Sequence, residues 1–248
     1  MRYYVPDIRV AADVPAGASQ PVDQFGGLPW GLATNLWPKC SDCGKSQSLV
    51  AQLVHDPSRL DLGRDGRVLY VFQCNHDPGM CSTWQGGSGA NACFVVEREK
   101  LTAGLAVIPT DKPPIDNEVR VIRWLERNDG VPSSSFDFFF DETAYLALPE
   151  AERTSVPPCT KLGGVPYWIQ SASEAPKAPW HFIGQLDSMH SFLSPPNEQV
   201  SWVNLDEERW EGRTHYAAGP NFGDGGIAYL FLKQTGSVPI GWFFWQCG

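Results

Sequence analysis

Three short blocks recur in the same order in the two halves of this chain, and a repeat of that kind restricts the fold to something built twice. Phe25-Gly-Gly-Leu-Pro-Trp30 returns as Leu162-Gly-Gly-Val-Pro-Tyr167, and Val50-Ala-Gln-Leu53 returns as Ile183-Gly-Gln-Leu186. The third block, Asp65-Gly-Arg-Val-Leu-Tyr-Val-Phe72, matches Asp224-Gly-Gly-Ile-Ala-Tyr-Leu-Phe231, with the Asp-Gly turn, a β-branched residue, the tyrosine and the phenylalanine at the same offsets. Between its second and third blocks the later copy carries a long insertion, about Met189 to Asn221.

Each block reads as a turn feeding a strand. Gly-Gly-x-Pro permits positive φ at the glycines and fixes φ at the proline, as a chain entering an extended segment requires. Asp-Gly is a hairpin-turn signal, and the Val-x-Tyr-x-Phe or Ile-x-Tyr-x-Phe alternation after it points one face of a strand inward. Glu118 to Leu125 reads as a further strand, while Glu97 to Leu105 and Glu142 to Glu152 read as short helices. The expectation is an α+β chain, rich in β-strand and internally duplicated. It is a single domain over residues 1–248, made of repeats at about 23–108 and 160–248 joined by a breaker-rich connecting segment, 109–159.

The sharpest chemical signal lies in the first copy. Cys40 and Cys43 form a Cys-x-x-Cys turn followed by Gly44, and Cys74 and Cys81 form a second, looser pair after the strand-like run Val68–Phe72. Zinc takes four such ligands at about 2.0 to 2.3 Å, and a Cys-x-x-Cys turn offers two thiolates to one ion without straining the backbone. His76, two residues after Cys74, is an alternative ligand, so the set is four cysteines or three cysteines and His76. Four protein ligands close the coordination sphere, which points to structural zinc. The N-terminal Met-Arg-Tyr-Tyr-Val-Pro-Asp has no apolar stretch after its positive charge, which predicts a cytoplasmic chain with reduced thiols. Cys93, Cys159 and Cys247 fall outside the site and read as structural.

No segment approaches the run of apolar residues needed to span a membrane. The net charge is −9 and lysine and arginine are nowhere clustered, so nucleic acid is not an expected partner. Ten tryptophans must be packed in a core or offered to a partner. Trp202 and Trp210 stand among carboxylates in the insertion of the second copy and either dock a protein partner or cap the sheet. Phe136-Asp-Phe-Phe-Phe-Asp-Glu142 reads as a buried strand or loop, or as an exposed adhesive edge.

Catalytic signatures fail. Gly44-Lys45-Ser46 resembles the end of a phosphate-binding loop but lacks the leading glycine, and Gly86-Gly-Ser-Gly89 has the spacing of no catalytic or dinucleotide fingerprint and reads as a flexible loop. Gln52 and Gln185 put an amide into otherwise apolar strands, where each must bond backbone groups of the neighbouring Gly-Gly-x-Pro turn or line a paired ligand site.

Gly163-Gly-Val-Pro-Tyr-Trp-Ile-Gln170, Phe182-Ile-Gly-Gln-Leu-Asp187 and Phe222-Gly-Asp-Gly-Gly-Ile-Ala-Tyr-Leu-Phe231 together resemble the signature of the YwqG-like family, bacterial domains of unknown function, over essentially the whole chain. The resemblance implies a duplicated fold and no established enzymatic activity. The first copy, with Trp37-Pro-Lys-Cys40-x-x-Cys43, Gln52-Leu53 and Leu69-Tyr-Val-Phe-x-Cys74, is also similar to the programmed cell death protein two family, which implies an adaptor or chaperone-like role. The function expected is therefore protein binding by a non-enzyme. The alternatives are an immunity or inhibitor protein suited by its acidity to a basic toxin, or a hydrolase using Asp65 or Asp224 in a cleft between the repeats.

Overall fold

The computed structural model describes residues 1–14, 19–194, 197 and 215–248. The expected insertion lies largely outside these residues, and Trp202 and Trp210 lie wholly outside them. The chain is α+β and dominated by strands: β1 (Arg2–Val10), β2 (Gln24–Phe25), β3 (Ser48–Val54), β4 (Val68–Gln73), β5 (Asn91–Val96), β6 (Val119–Asn128), β7 (Lys161–Gly163), β8 (His181–Asp187), β9 (Met189–Phe192), β10 (His215–Ala218), β11 (Ile227–Lys233) and β12 (Ile240–Gln246). Ten of them close an antiparallel barrel in the order β1-β6-β2-β3-β4-β5-β12-β11-β8-β7, with β7 returning to β1. β9 and β10 form a separate two-stranded antiparallel sheet.

Strands β2 to β5 are contiguous on one side of the wall and β7, β8, β11 and β12 on the other. β6 covers the strand expected at Glu118 to Leu125 within the connecting segment, and with β1 it supplies the two staves between these groups. The groups share local geometry. Pairing of β3 with β4 skips one residue between Leu49 and Ala51, and pairing of β8 with β11 skips one between Phe182 and Gly184. The skipped residues, Val50 and Ile183, are the first residues of the matched second blocks.

Side chains from strands around the wall fill the barrel: Ile8, Ala51, Leu53, Leu69, Val71, Leu186, Ala228, Leu230 and Phe243 all belong to one buried cluster. Phe192 and Ala217 of the β9–β10 pair join that cluster. The Tyr and Phe of the Asp-Gly blocks point the other way. Tyr70 and Phe72 pack in an outer layer under Leu32, Trp37 and Ala106, and Tyr229 and Phe231 in a second one under Trp168, Ala172 and Ala175. The alternation therefore marks the outer layer, while the intervening Leu69, Val71, Ala228 and Leu230 face the barrel interior. Burial on both faces explains why these strands are apolar throughout, at roughly 1.5–3 kcal/mol of stabilisation per large side chain buried.

Two predicted helices differ in the structure. Only a single turn, Arg98–Lys100, forms where Glu97 to Leu105 was expected to be helical. Beyond it, Thr102 N–H donates to Gly31 O (2.8 Å), Gly31 N–H to Gly104 O (2.8 Å) and Ala106 N–H to Pro29 O (2.8 Å), so the glycine-rich turn claims the backbone groups a helix would have used. Glu142 to Glu152 is two pieces, α1 (Glu142–Ala147) and α2 (Glu150–Thr154), separated at Leu148-Pro149 because proline cannot continue a helix. The Phe136–Glu142 segment is neither strand nor loop for most of its length. It ends a helix of tight turns, Ser133–Phe140, with Phe139 buried and Phe138 exposed, and Phe139 O accepts from Trp168 Nε1 (2.7 Å).

Candidate metal centre

The first cysteine pair sits on a tight hairpin. Gln47 N–H donates to Pro38 O (3.0 Å), Lys39 bridges Ser46, Cys40 N–H donates to Lys45 O (2.8 Å) and Gly44 N–H donates to Cys40 O (2.8 Å). Gly44 has φ +72° with open space beside it, so left-handed backbone, and not crowding, calls for glycine there. Outside the knuckle, Asp111 accepts from the Ser46 N–H (2.7 Å) and hydroxyl (2.8 Å), and these bonds hold its carboxyl below the usual range. The second pair follows β4 directly. Cys74 N–H donates to Ala90 O (2.9 Å), and the chain loops outward through Gly79, at φ +85°, before Cys81 returns.

The four Sγ atoms lie within 4.8 Å of one another, with Cys43 Sγ 3.5 Å from Cys74 Sγ. Tetrahedral Zn–S bonds of about 2.3 Å place sulfurs about 3.8 Å apart, whereas a disulfide would bring two of them to about 2.05 Å. Cys40, Cys74 and Cys81 are buried and Cys43 is exposed. Burial pushes the Cys74 thiol up to about 11 and Cys81 higher still, with neighbouring thiols adding to the rise at Cys81. At Cys43 burial acts in the same direction but is outweighed by the Lys45 N–H and the other three thiols, leaving it below the ordinary value. A group of thiols this close carries full negative charge only around a cation, and a divalent metal supplies one while displacing the protons. Three of the four cysteines are buried, and the cluster is geometrically able to coordinate a metal ion.

His76 is not among the four residues drawn together; it acts through its backbone, whose N–H bonds the Cys74 sulfur. Cys93, Cys159 and Cys247 are free thiols outside the cluster, and burial pushes Cys93 up to about 12 and Cys159 to about 11. Asp65 and Asp224 stand on separate exposed turns. The Asp65 carboxylate is 3.3 Å from His55 Nε2, and the Asp224 carbonyl accepts from Gly248 N–H (3.1 Å).

Sequence reasoning missed the residues that brace the centre. Ser82 N–H donates to Asp42 Oδ2 (2.7 Å), which joins the two cysteine loops, and Ser41 Oγ donates to Ser88 O (2.6 Å). The signal was present, because Asp and Ser between paired cysteines are short side chains suited to bonding nearby backbone. Beside the knuckle opens a groove of about 580 Å³ lined by Trp37, Lys39, Cys43, Lys45, Val107 and Ile108.

The two glutamines have matching partners. Gln52 Oε1 accepts from Trp30 N–H (2.7 Å) and its Nε2 donates to Val22 O (2.8 Å). Gln185 Oε1 accepts from Tyr167 N–H (2.8 Å) and its Nε2 donates to Cys159 O (2.9 Å). Tyr70 and Tyr229 complete the pattern by donating to Trp30 O (2.6 Å) and Tyr167 O (2.8 Å), and burial raises both phenols. The amides thus serve the turns after the prolines.

The class defined by fold and site is a closed antiparallel β-barrel domain with a largely buried four-cysteine cluster able to hold a metal. The sequence matches no protein-family model and no curated protein.

Proposed function

We propose that this chain is an internally duplicated, YwqG-like protein-binding adaptor of chaperone-like character, with one structural zinc at Cys40, Cys43, Cys74 and Cys81. Duplication is supported by the paired bulges at Val50 and Ile183 and the paired glutamine and tyrosine bonds. A structural role for the ion follows from four protein thiolates, which leave no coordination position for water or substrate.

The observation that carries the binding role is a pair of solvent-facing apolar side chains lining the knuckle groove, Val107 at 71% and Ile108 at 42% exposed. Exposed apolar side chains gathered in a groove favour contact with a partner. Lys39 and Lys45 line the same groove and offer donors to a polar rim. The test is capture of partners from an extract of the source organism by the wild-type chain and by the Val107→Asp, Ile108→Asp double variant. A stoichiometric partner lost in the double variant at unchanged thermal stability supports the reading. A partner retained by it, or none captured at low and moderate salt, overturns the groove as the binding surface. A basic toxin as the captured protein would establish the inhibitor alternative.

A further inference from the structure

The ladder between β5 and β12 is the shortest in the wall, although β2 with β3 and β6, and β7 with β1 and β8, also pair over only two residues each. β4 and β5 pair over six residues and β11 and β12 over seven, but β5 meets β12 through a single pair, Ile240 with Phe94. There the strands approach closely, since a Cβ on Gly241 would stand 2.5 Å from Cys93 Sγ. Further along β12 the partner is a loop, residues 82–90. Trp245 N–H donates to Trp84 O (3.2 Å), the two indole rings meet edge-on at 6.3 Å, and Gly86 and Gly87 lie flat on Trp242, where a Cβ would stand 2.4 and 2.8 Å from the ring. The Gly86-Gly-Ser-Gly89 stretch expected to be a flexible loop is packed against the wall of the other half, and its glycines allow that approach.

Both ends of this loop are tied to the cysteine centre. It leaves directly from Cys81, and Ser82 N–H is bound by Asp42 from within the first knuckle (2.7 Å). It returns through Ser88 O, which accepts from Ser41 Oγ (2.6 Å), Gly89 O, which accepts from Ser41 N–H (3.0 Å), and Ala90 O, which accepts from Cys74 N–H (2.9 Å). On the β5 side Asn91 Nδ2 donates to Thr83 O (2.7 Å) and Gln85 O (3.2 Å).

From this arrangement we infer that the metal centre locks the seam between the two halves: an ion at the four thiols holds loop 82–90 in place against β12, and its release opens the barrel between β5 and β12. On the far side β1 pairs with β6 along its whole length, and that joint stays closed. Opening would bare the β12 edge together with Trp242 and Trp245, so the chain would present an unpaired strand and aromatic surface only in its metal-free form. This rests on the zinc reading above.

The experiment is hydrogen exchange read by mass spectrometry on the full chain, as purified and after treatment with a chelator under reducing conditions, with metal content measured on each sample. Exchange at least about tenfold faster in 82–96 and 240–246 of the stripped sample, with β1, β6, β8 and β11 still protected, is the expected result. Unchanged protection at 240–246, or equal loss throughout the chain, overturns the lock while leaving a metal-bound protein intact. A purified protein without stoichiometric metal overturns the zinc reading itself. Asn91→Ala supplies the second arm, because it keeps all four thiols. Faster exchange at 240–246 with unchanged metal content supports the lock, and wild-type protection there counts against it.

Discussion

The two halves of the barrel wall solve the same backbone problem identically and finish their edges differently. In each, a buried glutamine and a buried tyrosine satisfy the N–H and C=O of the residue after a Gly-Gly-x-Pro turn, and in each one residue bulges out of register two positions before that glutamine. Beyond those positions they part. The first half ends its β3 and β4 loops in paired cysteines. The second uses side-chain amides, with Gln246 accepting from Gln170 N–H (3.0 Å) and donating to Ser171 O (2.7 Å). A buried backbone group with one feasible partner tolerates little change, whereas a loop end can be secured by a metal or by amides equally well.

The largest expected effect falls on the half with the cysteines. Cys43→Ser should abolish stoichiometric metal binding and lower Tm by about 10–15 °C, which corresponds to about 4 kcal/mol for a chain of this size. Calorimetry with elemental analysis measures both. An unchanged Tm would mean the two halves are equally self-sufficient.

Next come the glutamines. Gln52→Leu and Gln185→Leu each strand a buried N–H and a buried carbonyl, and each should cost about 2–3 kcal/mol in urea unfolding. Losses within about 1 kcal/mol of one another sustain the equivalence of the halves; a large effect in one and none in the other breaks it.

A titratable difference offers a sharper probe. By alignment of the first blocks, Lys161 occupies the position of Gln24. Gln24 is buried and donates to Gly26 O (3.0 Å) and Leu28 O (3.1 Å), while the buried Lys161 Nζ lies 5.1 Å from the centre of the Tyr3 ring without a hydrogen-bond acceptor. Burial holds the Lys161 ammonium down at about 8, against about 10.4 for a free lysine, although Cys159 and Asp129 favour its charge. The folded state then binds fewer protons than the unfolded one between these values, so stability rises with pH across that window and is lowest below pH 8. Lys161→Gln should flatten the slope and stabilise the chain by about 1–2 kcal/mol at neutral pH. Urea melts at several pH values measure this, and an unaltered slope in the variant would assign it to another group.

The smallest contrast is between the tyrosines. Tyr70→Phe removes one bond to Trp30 O and should cost about 1 kcal/mol. Tyr229→Phe should cost somewhat more, because that hydroxyl also accepts from Ile169 N–H (3.1 Å). Equal losses would show that the Ile169 amide finds another partner.

Much of the site was legible because its signals are local. Cys-x-x-Cys followed by glycine specifies a knuckle, and the structure brings Cys40, Cys43, Cys74 and Cys81 together. The strand at Val119–Asn128 was legible for the same reason, from its own sequence pattern. The helix expected over Glu97–Leu105 was not, since its residues suit a helix and only the distant turn at Pro29–Gly31 takes their backbone groups away. Gly86-Gly-Ser-Gly89 read as a flexible loop because glycine has the same composition signature in a free loop and in one pressed flat against an indole.

The sequence by itself determined the order of turns and strands, the two-fold recurrence of Gly-Gly-x-Pro, Gln and Asp-Gly, and the pairing of thiols, because each depends on residues a few positions apart. Only the tertiary structure decided that Tyr70 and Tyr229 face outward, that β1 and β6 stand between the halves, and that the β5–β12 junction is closed by a loop rooted in the cysteines. Which face of a two-sided apolar strand looks inward, and which edges meet, follow from how the whole chain closes its barrel, and no local pattern encodes that.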